Sequence, residues 1–293
     1  MKTRFMMLCC MCLCTMTSAF AQRMTIVTSN DLKKGEPIDS TLFKVQYKMT
    51  IVEDTLATDR SPITETMMLE VGKRHSLFYS YTEHVKDSVL IDDMVKNASQ
   101  DEIMKHLRQY GGGVITWRIY KNYPTGSVTT FDKLGITKFR CEEKNEQPQW
   151  TLLPDTATIL SYLCHKATCH FKGRTYEAWY TQEISRSEGP WKLYGLPGLI
   201  LKAGDSRNSY AFECTGVEQC RNQTPLLLSG GTSESINRKS LNKLYERYVK
   251  DPVGFITSTQ PGVTIKMADE SGNAIKSVQP LPYNPIELNS EVK

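Results

Sequence analysis

Two strands are predicted by the residues Tyr162-Leu-Cys-His-Lys-Ala-Thr-Cys-His-Phe171, then Lys172-Gly173-Arg174, then Thr175-Tyr-Glu-Ala-Trp-Tyr-Thr181. The outer two segments have the length and composition of strands, and the central one is a typical tight turn. Because a short turn joins them, the strands should pair antiparallel. The centre of the chain therefore reads as an antiparallel hairpin within a meander.

Segments on both sides continue this pattern. Between Phe43 and Ile51 every odd position is apolar, which indicates a strand with one buried and one solvated face. Gly72-Lys73 separates two further strand segments and predicts a second hairpin. The remaining predicted strands cover residues 66–71, 75–81, 114–121, 127–131, 136–143, 150–153, 199–203 and 209–217.

Helical periodicity interrupts the strands in two places. Residues 85–110 indicate two short helices, the second of which begins at the capping-box pattern Ser99-Gln-Asp-Glu102. Residues 235–250 predict another helix that ends before Pro252. The predicted fold class is α+β and mainly β: a large, curved antiparallel sheet with a few short helices, similar to the half-open barrel of periplasmic lipoprotein carriers.

The N-terminus has the features of a secretory signal peptide. A basic start and an apolar run over residues 5–15 precede Ala19-Phe-Ala21, which supplies the small residues needed for cleavage. We expect residues 1–21 to be removed and the protein to be exported to the periplasm or the outer-membrane region. The apolar run is too short to span a bilayer, so no transmembrane span is predicted for the mature chain.

Composition is that of an ordinary globular protein. The chain has 293 residues, of which 40% are apolar and 23% are charged, so it can bury a core. Removal of Lys2 and Arg4 with the signal peptide leaves 34 basic against 32 acidic residues, a balance that excludes a nucleic-acid-binding protein. We predict a single, mainly antiparallel β domain over residues 22–256 and a C-terminal tail containing Pro, Gly and Asn over residues 257–293.

Five cysteines remain in the mature chain: Cys141, Cys164, Cys169, Cys214 and Cys220. The number is odd, so at most two disulfides can form, and their pairing stays open. Cys164, His165, Cys169 and His170 offer four soft-metal ligands and could bind zinc or copper. Alternation along a strand places Cys164 and His170 on one face and the other two on the opposite face, so we predict no metal and no cofactor.

The string Gly195-Leu196-Pro197-Gly198-Leu199-Ile200 is a candidate phosphate loop by its glycines alone. It lacks the Lys-Ser/Thr of a P-loop and the third glycine of a dinucleotide fingerprint. A structural interpretation is favoured, in which Gly195 adopts an unusual backbone angle and Leu199 and Ile200 enter a strand. We expect a rigid turn that matters for folding.

These six letters name the GLPGLI family of secreted Bacteroidetes proteins, which the chain resembles. Ala178-Trp179-Tyr180-Thr181 and Gly189-Pro190-Trp191 resemble the core pattern of that family, and Asn284-Pro285-Ile286-Glu287-Leu288 resembles its C-terminal signature. Ser161 and Ser185 depart from the pattern. The family has no established activity, so the resemblance implies a compartment and a fold but no reaction.

Aromatic side chains gather in the same region. Trp179, Tyr180, Trp191 and Tyr194 lie close in sequence to the string, with Arg174 nearby. Trp179 and Tyr180 must point to opposite faces of their strand, so one can be buried while the other lines a surface. These five residues are the candidate binding residues.

Catalytic patterns are missing from the sequence, which contains neither Gly-x-Ser-x-Gly nor His-Glu-x-x-His. We therefore expect an exported, non-catalytic binding or cell-envelope accessory protein, whose partner is a small apolar ligand, a peptide or an envelope protein. The alternative is an unrecognised secreted hydrolase or metal-handling protein. It would use the cysteine–histidine cluster or the carboxylates near Glu183 and Asp205.

Overall fold

A computed structural model describes residues 35–55, 62–110, 113–135, 137–259 and 280–288. The predicted signal peptide lies outside the described residues, and so does most of the predicted tail, residues 260–279 and 289–293. No helix of the described part is both long and apolar enough to cross a membrane.

The described residues form twelve strands and four helices, numbered here in chain order. The strands are β1 Glu36–Ile51, β2 Ile63–Gly72, β3 Ser76–Ser80, β4 Arg118–Lys121, β5 Ser127–Leu134, β6 Thr137–Lys144, β7 Thr151–Ile159, β8 Tyr162–Phe171, β9 Arg174–Thr181, β10 Leu199–Asp205, β11 Tyr210–Leu228 and β12 Glu234–Ser235. The helices are α1 Tyr81–Val95, α2 Gln100–Arg108, α3 Arg238–Lys250 and α4 Pro252–Thr259. The predicted class, mainly β with a few short helices, is confirmed.

All twelve strands belong to one sheet in the order β12-β6-β5-β4-β3-β2-β1-β11-β10-β9-β8-β7. Neighbours are antiparallel except β12 and β6, which are parallel, so the sheet is mixed. Among the described residues no pairing joins β12 to β7, and the sheet is open.

The predicted central hairpin is confirmed. Strands β8 and β9 pair without a register shift, and Ala167 lies opposite Ala178 with both side chains buried. Lys172 and Gly173 turn the chain with φ of 49° and 80°. Glycine suits this turn because it has no Cβ, and a Cβ on Gly173 would meet Leu288 at 2.7 Å.

Apolar alternation in β1 builds the main core. Val45, Tyr47 and Met49 are fully buried, as the odd-position pattern predicts. The Tyr47 ring packs edge-on against Phe78 with a centroid distance of 6.1 Å, and its hydroxyl donates a hydrogen bond to the Ile200 carbonyl at 2.7 Å. Burying a tyrosine with its hydroxyl satisfied adds apolar contact without an unpaired polar atom.

Several elements differ from their predicted extents; β1 and β7, for example, are longer than predicted and β4 is shorter. Strand β11 runs to Leu228, well beyond the predicted end at residue 217, because its second half pairs with β1 across register shifts. Helix α4 begins at Pro252, where the sequence predicted only the end of a helix. Proline is tolerated in the first turn of a helix, since the N–H group it lacks would have no partner there.

The C-terminal segment 280–288 packs onto the domain and is held by Arg174. The guanidinium donates to the carbonyls of Ile286 at 3.0 Å and Pro285 at 2.7 Å. It also donates to Asn284 Oδ1 at 2.6 Å and pairs with Asp205 at 2.7 Å. This part of the predicted tail is therefore a component of the domain.

A second charge cluster holds the same segment. Lys192 Nζ lies 2.5 Å from Glu143 Oε2 and 2.7 Å from Glu287 Oε1, and Arg238 Nη2 lies 2.7 Å from Glu143 Oε2. Burial by itself would raise the pKa of Glu143, but the positive charges of Lys192 and Arg238 outweigh burial and lower that pKa to about 2.

Glu143 should therefore make stability depend on pH in the acid range. Its carboxylate has a pKa of about 2 in the folded protein against an ordinary value of 4.5, so it favours folding above pH 4.5 and loses this contribution as the pH falls towards 2. Glu143→Gln is expected to be less stable than the wild type at neutral pH and to lose less stability on acidification. Urea unfolding at neutral and acid pH measures both effects.

The exposed neighbour Glu142 provides the control for this experiment. Its side chain is 45% exposed and forms an ion pair with Arg140, so Glu142→Gln should change the unfolding free energy by less than about 1 kcal/mol. An equally steep acid loss in Glu143→Gln and the wild type would contradict the expectation.

Candidate functional site

A cavity of about 480 Å³ opens between α1, strands β3 to β5 and the C-terminal end of β11. This volume is within the usual range for small-molecule sites, about 300–1,000 Å³. Its charged, histidine and aromatic lining includes Glu70, Tyr79, His84, Asp87, Trp117 and Arg118. The lining mixes apolar side chains with charged ones from several elements, which can orient a polar ligand.

Strand pairing and a helix start bring these residues together. Tyr79 on β3 lies opposite Arg118 on β4, and Glu70 lies on the adjoining strand β2. Strand β3 continues directly into α1, whose N-cap Ser80 accepts a hydrogen bond from the helix backbone. The first turns of α1 therefore place His84 on the wall of the same cavity.

Glu70 is the carboxylate at the centre of this group. The Tyr79 hydroxyl donates to Glu70 Oε1 at 2.8 Å, and the Thr41 hydroxyl donates to Glu70 Oε2 at 2.9 Å. Burial, and then the charge of Glu70, raise the pKa of Tyr79 well above its ordinary value, so Tyr79 remains protonated and remains a donor. Both carboxylate oxygens are thereby fixed in position.

Arg118 brings positive charge to the cavity. Its guanidinium carbon lies 5.5 Å from the centroid of the Tyr79 ring, and its Nη2 donates to Asp87 Oδ2 at 2.8 Å. The Asp87 side chain is half exposed, whereas the Arg118 side chain is 22% exposed. The stacking and the ion pair together orient a guanidinium whose planar fork can bind polar oxygens of a ligand.

His84 packs edge-on against Tyr79 with a centroid distance of 5.3 Å. His84 is exposed as a residue, but partial desolvation of its ring on the cavity wall, and then the nearby charge of Arg118, lower its pKa below the ordinary 6.5. The imidazole is therefore neutral at pH 7, the state in which it can accept a proton.

Two other buried carboxylates near the cavity are used by the fold. Glu65 accepts the backbone N–H groups of Gly113 at 3.1 Å and Val114 at 3.3 Å, which fixes one wall. Asp132 accepts the Thr116 hydroxyl at 2.7 Å and is 3% exposed. Both groups are committed to holding loops, so Glu70 is the better candidate for ligand chemistry.

The five predicted binding residues do not form one surface, and none lines this cavity. Arg174, Tyr180 and Trp191 are at most 3% exposed, so their side chains are used inside the fold. Trp179 and Tyr194 are half-buried. Ligand recognition by that accessible pair stays a prediction.

The predicted turn in the string 195–200 is present. Gly195 and Gly198 have φ of 93° and 148°, and the Gly198 N–H donates to the Leu196 carbonyl at 2.7 Å. Strand β10 begins immediately afterwards, with Leu199 and Ile200 at most 1% exposed. The string is a turn that starts a core strand, as the structural interpretation predicted.

The cysteine–histidine cluster does not assemble. Cys164 and Cys169 are both buried in the main core, while His170 is exposed and His165 is half-buried. Among the described residues no group of three or more His, Cys, Asp or Glu side chains could hold a metal ion. The five cysteines that the structure describes carry free thiols.

Sequence reasoning missed the cavity residues because they come from separate elements. Glu70, Tyr79, His84 and Arg118 lie on β2, β3, α1 and β4. No spacing rule connects residues that only strand pairing brings together. The available signal was weak: Glu70 is a carboxylate in an otherwise apolar strand segment next to the Gly72 hairpin.

Fold and cavity together define an open, mainly antiparallel sheet domain with a polar cavity beside its first helix. A family model described as "N-glycanase peptide, N-terminal domain" matches residues 128–241. This region runs from β5 to the start of α3 and includes the β5 and β11 walls of the cavity.

Solved structures give a related picture of the fold. A structure of PNGF-II in the P21 space group is 15% identical, with a TM-score of 0.50, over 72% of this chain and 34% of that chain. A second PNGF-II structure, in the C2 space group, is 15% identical with a TM-score of 0.48, over 70% of this chain and 32% of that one. The chain thus spans about a third of the length of the solved protein. No curated protein matches.

These comparisons correct two interpretations of the sequence. The assignment to the GLPGLI family is wrong, because the family model that matches residues 128–241 covers the core of the apparent resemblance and belongs to a different family. The main functional interpretation, a non-catalytic protein for ligand binding, is also wrong, because the description of the matching family names an enzyme, an N-glycanase. A six-residue turn at the start of a core strand serves local folding, so it is weak evidence for membership of a family.

Proposed function

We propose that this chain is a glycan-processing hydrolase domain that acts on glycopeptides carrying an N-linked glycan, with the α1–β4 cavity as its active site. This is the alternative that the sequence left open, a secreted hydrolase, with different residues from those first considered. The observation that carries it is the Glu70 carboxylate, held by two hydroxyl donors in a cavity that also contains His84 and Arg118.

The match to the N-terminal domain of an N-glycanase supports the substrate class. The matched residues 128–241 include the part of the cavity wall formed by β5 and the end of β11. Since the chain spans about a third of the solved PNGF-II chain, the activity proposed here is that of one domain of comparable fold.

The side chains of the cavity support sugar chemistry. The half-buried Trp117 provides aromatic surface on the cavity wall, against which the apolar face of a sugar ring can pack. The Arg118 guanidinium can donate hydrogen bonds to sugar hydroxyls or to a peptide carbonyl. The Glu70 carboxylate can accept hydrogen bonds from sugar hydroxyls or from a peptide N–H. Hydrolysis additionally needs a group that moves a proton, and carboxylates and imidazoles are the usual choices.

Glu70→Gln tests the site directly. The substitution keeps the shape of the side chain and removes its negative charge, so release of glycan from a glycopeptide should fall at least about 100-fold. Mass spectrometry of the substrate and the released glycan measures this. The control is Glu213→Gln, which alters an exposed carboxylate paired with an exposed lysine and should retain full activity.

Two results would reject the proposal. One is a wild-type protein, folded by circular dichroism, that releases no product from N-linked glycopeptides. The other is turnover that Glu70→Gln and Glu213→Gln both retain.

Export to the periplasm or outer-membrane region is part of the same proposal. Its support is the sequence of residues 1–21, which lie outside the described structure. Intact-mass measurement on exported protein tests it, since a mass that still includes these residues would contradict cleavage after Ala21.

A further inference from the structure

The imidazole of His84 is uncommitted within the folded chain. Among the described residues neither of its ring nitrogens has a hydrogen-bond partner, although the ring lines the cavity and packs against Tyr79. Two other histidines have a ring-nitrogen partner: His75 Nδ1 lies 2.8 Å from the Asn122 carbonyl, and His106 Nδ1 lies 2.9 Å from Asp93. His84 is an exposed residue on the cavity wall, so its imidazole is accessible to a bound molecule.

The charges around His84 come from several elements. The groups that face it are Tyr79 on β3, Arg118 on β4, Asp87 on α1, Glu70 on β2 and Lys44 on β1. The positive charges of Arg118 and Lys44 disfavour the imidazolium, and the two carboxylates favour it. Partial desolvation and Arg118 outweigh the carboxylates and lower the pKa of His84, so the neutral imidazole is the resting form at pH 7.

We infer that His84 is a catalytic residue that transfers the proton during hydrolysis in this cavity, an inference that rests on the proposed function. A ring nitrogen takes one proton from a water molecule as the water oxygen bonds to the electrophilic carbon of the substrate. The bond from that carbon to the leaving atom then breaks, and the imidazolium returns the proton to the leaving atom. One water is consumed, and His84 ends neutral as it began.

Arg118 and Glu70 have supporting roles in this step. The guanidinium of Arg118 stacks on Tyr79 beside the imidazole and can stabilise the negative charge that develops on the attacked group. Glu70 fixes the Tyr79 hydroxyl, and the Tyr79 ring in turn fixes the edge of the imidazole. Tyr79 is thus a positioning residue.

The test compares His84→Gln with His106→Gln across a range of pH, using release of glycan from an N-linked glycopeptide. In the wild type kcat/KM should fall on the acid side as His84 becomes protonated. In His84→Gln, kcat should fall at least about 100-fold and KM should stay within about threefold of the wild type. The decrease of kcat/KM at acid pH should disappear. His106→Gln, whose amide can still donate to Asp93, should retain the wild-type profile.

A second variant distinguishes the loss of a proton-transferring group from structural damage by the substitution. His84→Ala leaves space for a free imidazole, and added imidazole should restore part of the lost rate if the missing group is a proton carrier. A folded His84→Gln or His84→Ala protein with wild-type kcat and pH profile, while Glu70→Gln is inactive, would overturn the role of His84 and leave the proposed function standing. A wild-type protein without turnover overturns both.

Discussion

Replacing Arg174 by alanine is expected to lower the free energy of unfolding by about 3–5 kcal/mol, because it leaves a buried charge without its partner. Arg174 and Asp205 are 2.7 Å apart, and each side chain is 1% exposed. The substitution also removes three hydrogen bonds to residues 284–286. Equilibrium unfolding in urea, followed by tryptophan fluorescence, measures the loss.

An exposed ion pair on neighbouring strands provides the matched control. Lys202 on β10 and Glu213 on β11 are 3.2 Å apart, but both side chains are about half exposed. Lys202→Ala should therefore cost less than about 1 kcal/mol. Equal losses in Arg174→Ala and Lys202→Ala would show that the Arg174 pair contributes no more than a surface contact.

A double variant separates the charge from the packing. Asp205 also accepts the N–H groups of Ser209 at 2.7 Å and Tyr210 at 2.8 Å. The substitution Asp205→Asn keeps an acceptor oxygen and removes the negative charge, so adding it to Arg174→Ala should recover part of the stability. No recovery would assign the loss to packing alone.

Gly198→Ala should be the most costly small substitution in the turn before β10, at about 2–5 kcal/mol. Gly198 has φ of 148°, and a Cβ there would collide with the Thr181 carbonyl oxygen. That oxygen is backbone, so relief requires β9 or β10 to move. Thermal or urea unfolding of purified protein provides the measurement.

Gly216→Ala is the control for this glycine. Gly216 lies on β11, and a Cβ there would meet nothing within 4 Å. Alanine should therefore be neutral or slightly stabilising at that position. If Gly198→Ala has the same melting temperature as Gly216→Ala and the wild type, the turn is not rigid and its structural role is refuted.

Local patterns predicted the elements well wherever neighbouring residues carried the information. The alternation in β1 and the turn at Lys172-Gly173 predicted strands that the structure contains, and the Ser99–Glu102 capping box is formed at the start of α2. The length of strand β11 was underestimated because its second half contains Pro225 and has no apolar alternation of its own; pairing with β1 stabilises it.

The candidate site depended on tertiary structure and could not be predicted in the same way. Tyr79 and Glu70 are nine residues apart in sequence, and Arg118 joins them only because β4 pairs with β3. Arg174 was named as a candidate binding residue, and its hydrogen bonds in the structure are to groups of its own chain. Its guanidinium binds residues 284–286 of its own chain, which a strand pattern cannot reveal.

The docking of residues 284–287 has a consequence for how the protein is made. Arg174 emerges from the ribosome 110 residues before Asn284, and Lys192 emerges 95 residues before Glu287. Until then the nascent domain lacks these partners and cannot reach its final stability. Folding should therefore finish only after synthesis has passed residue 287, and a chain stalled before Asn284 should remain sensitive to proteases.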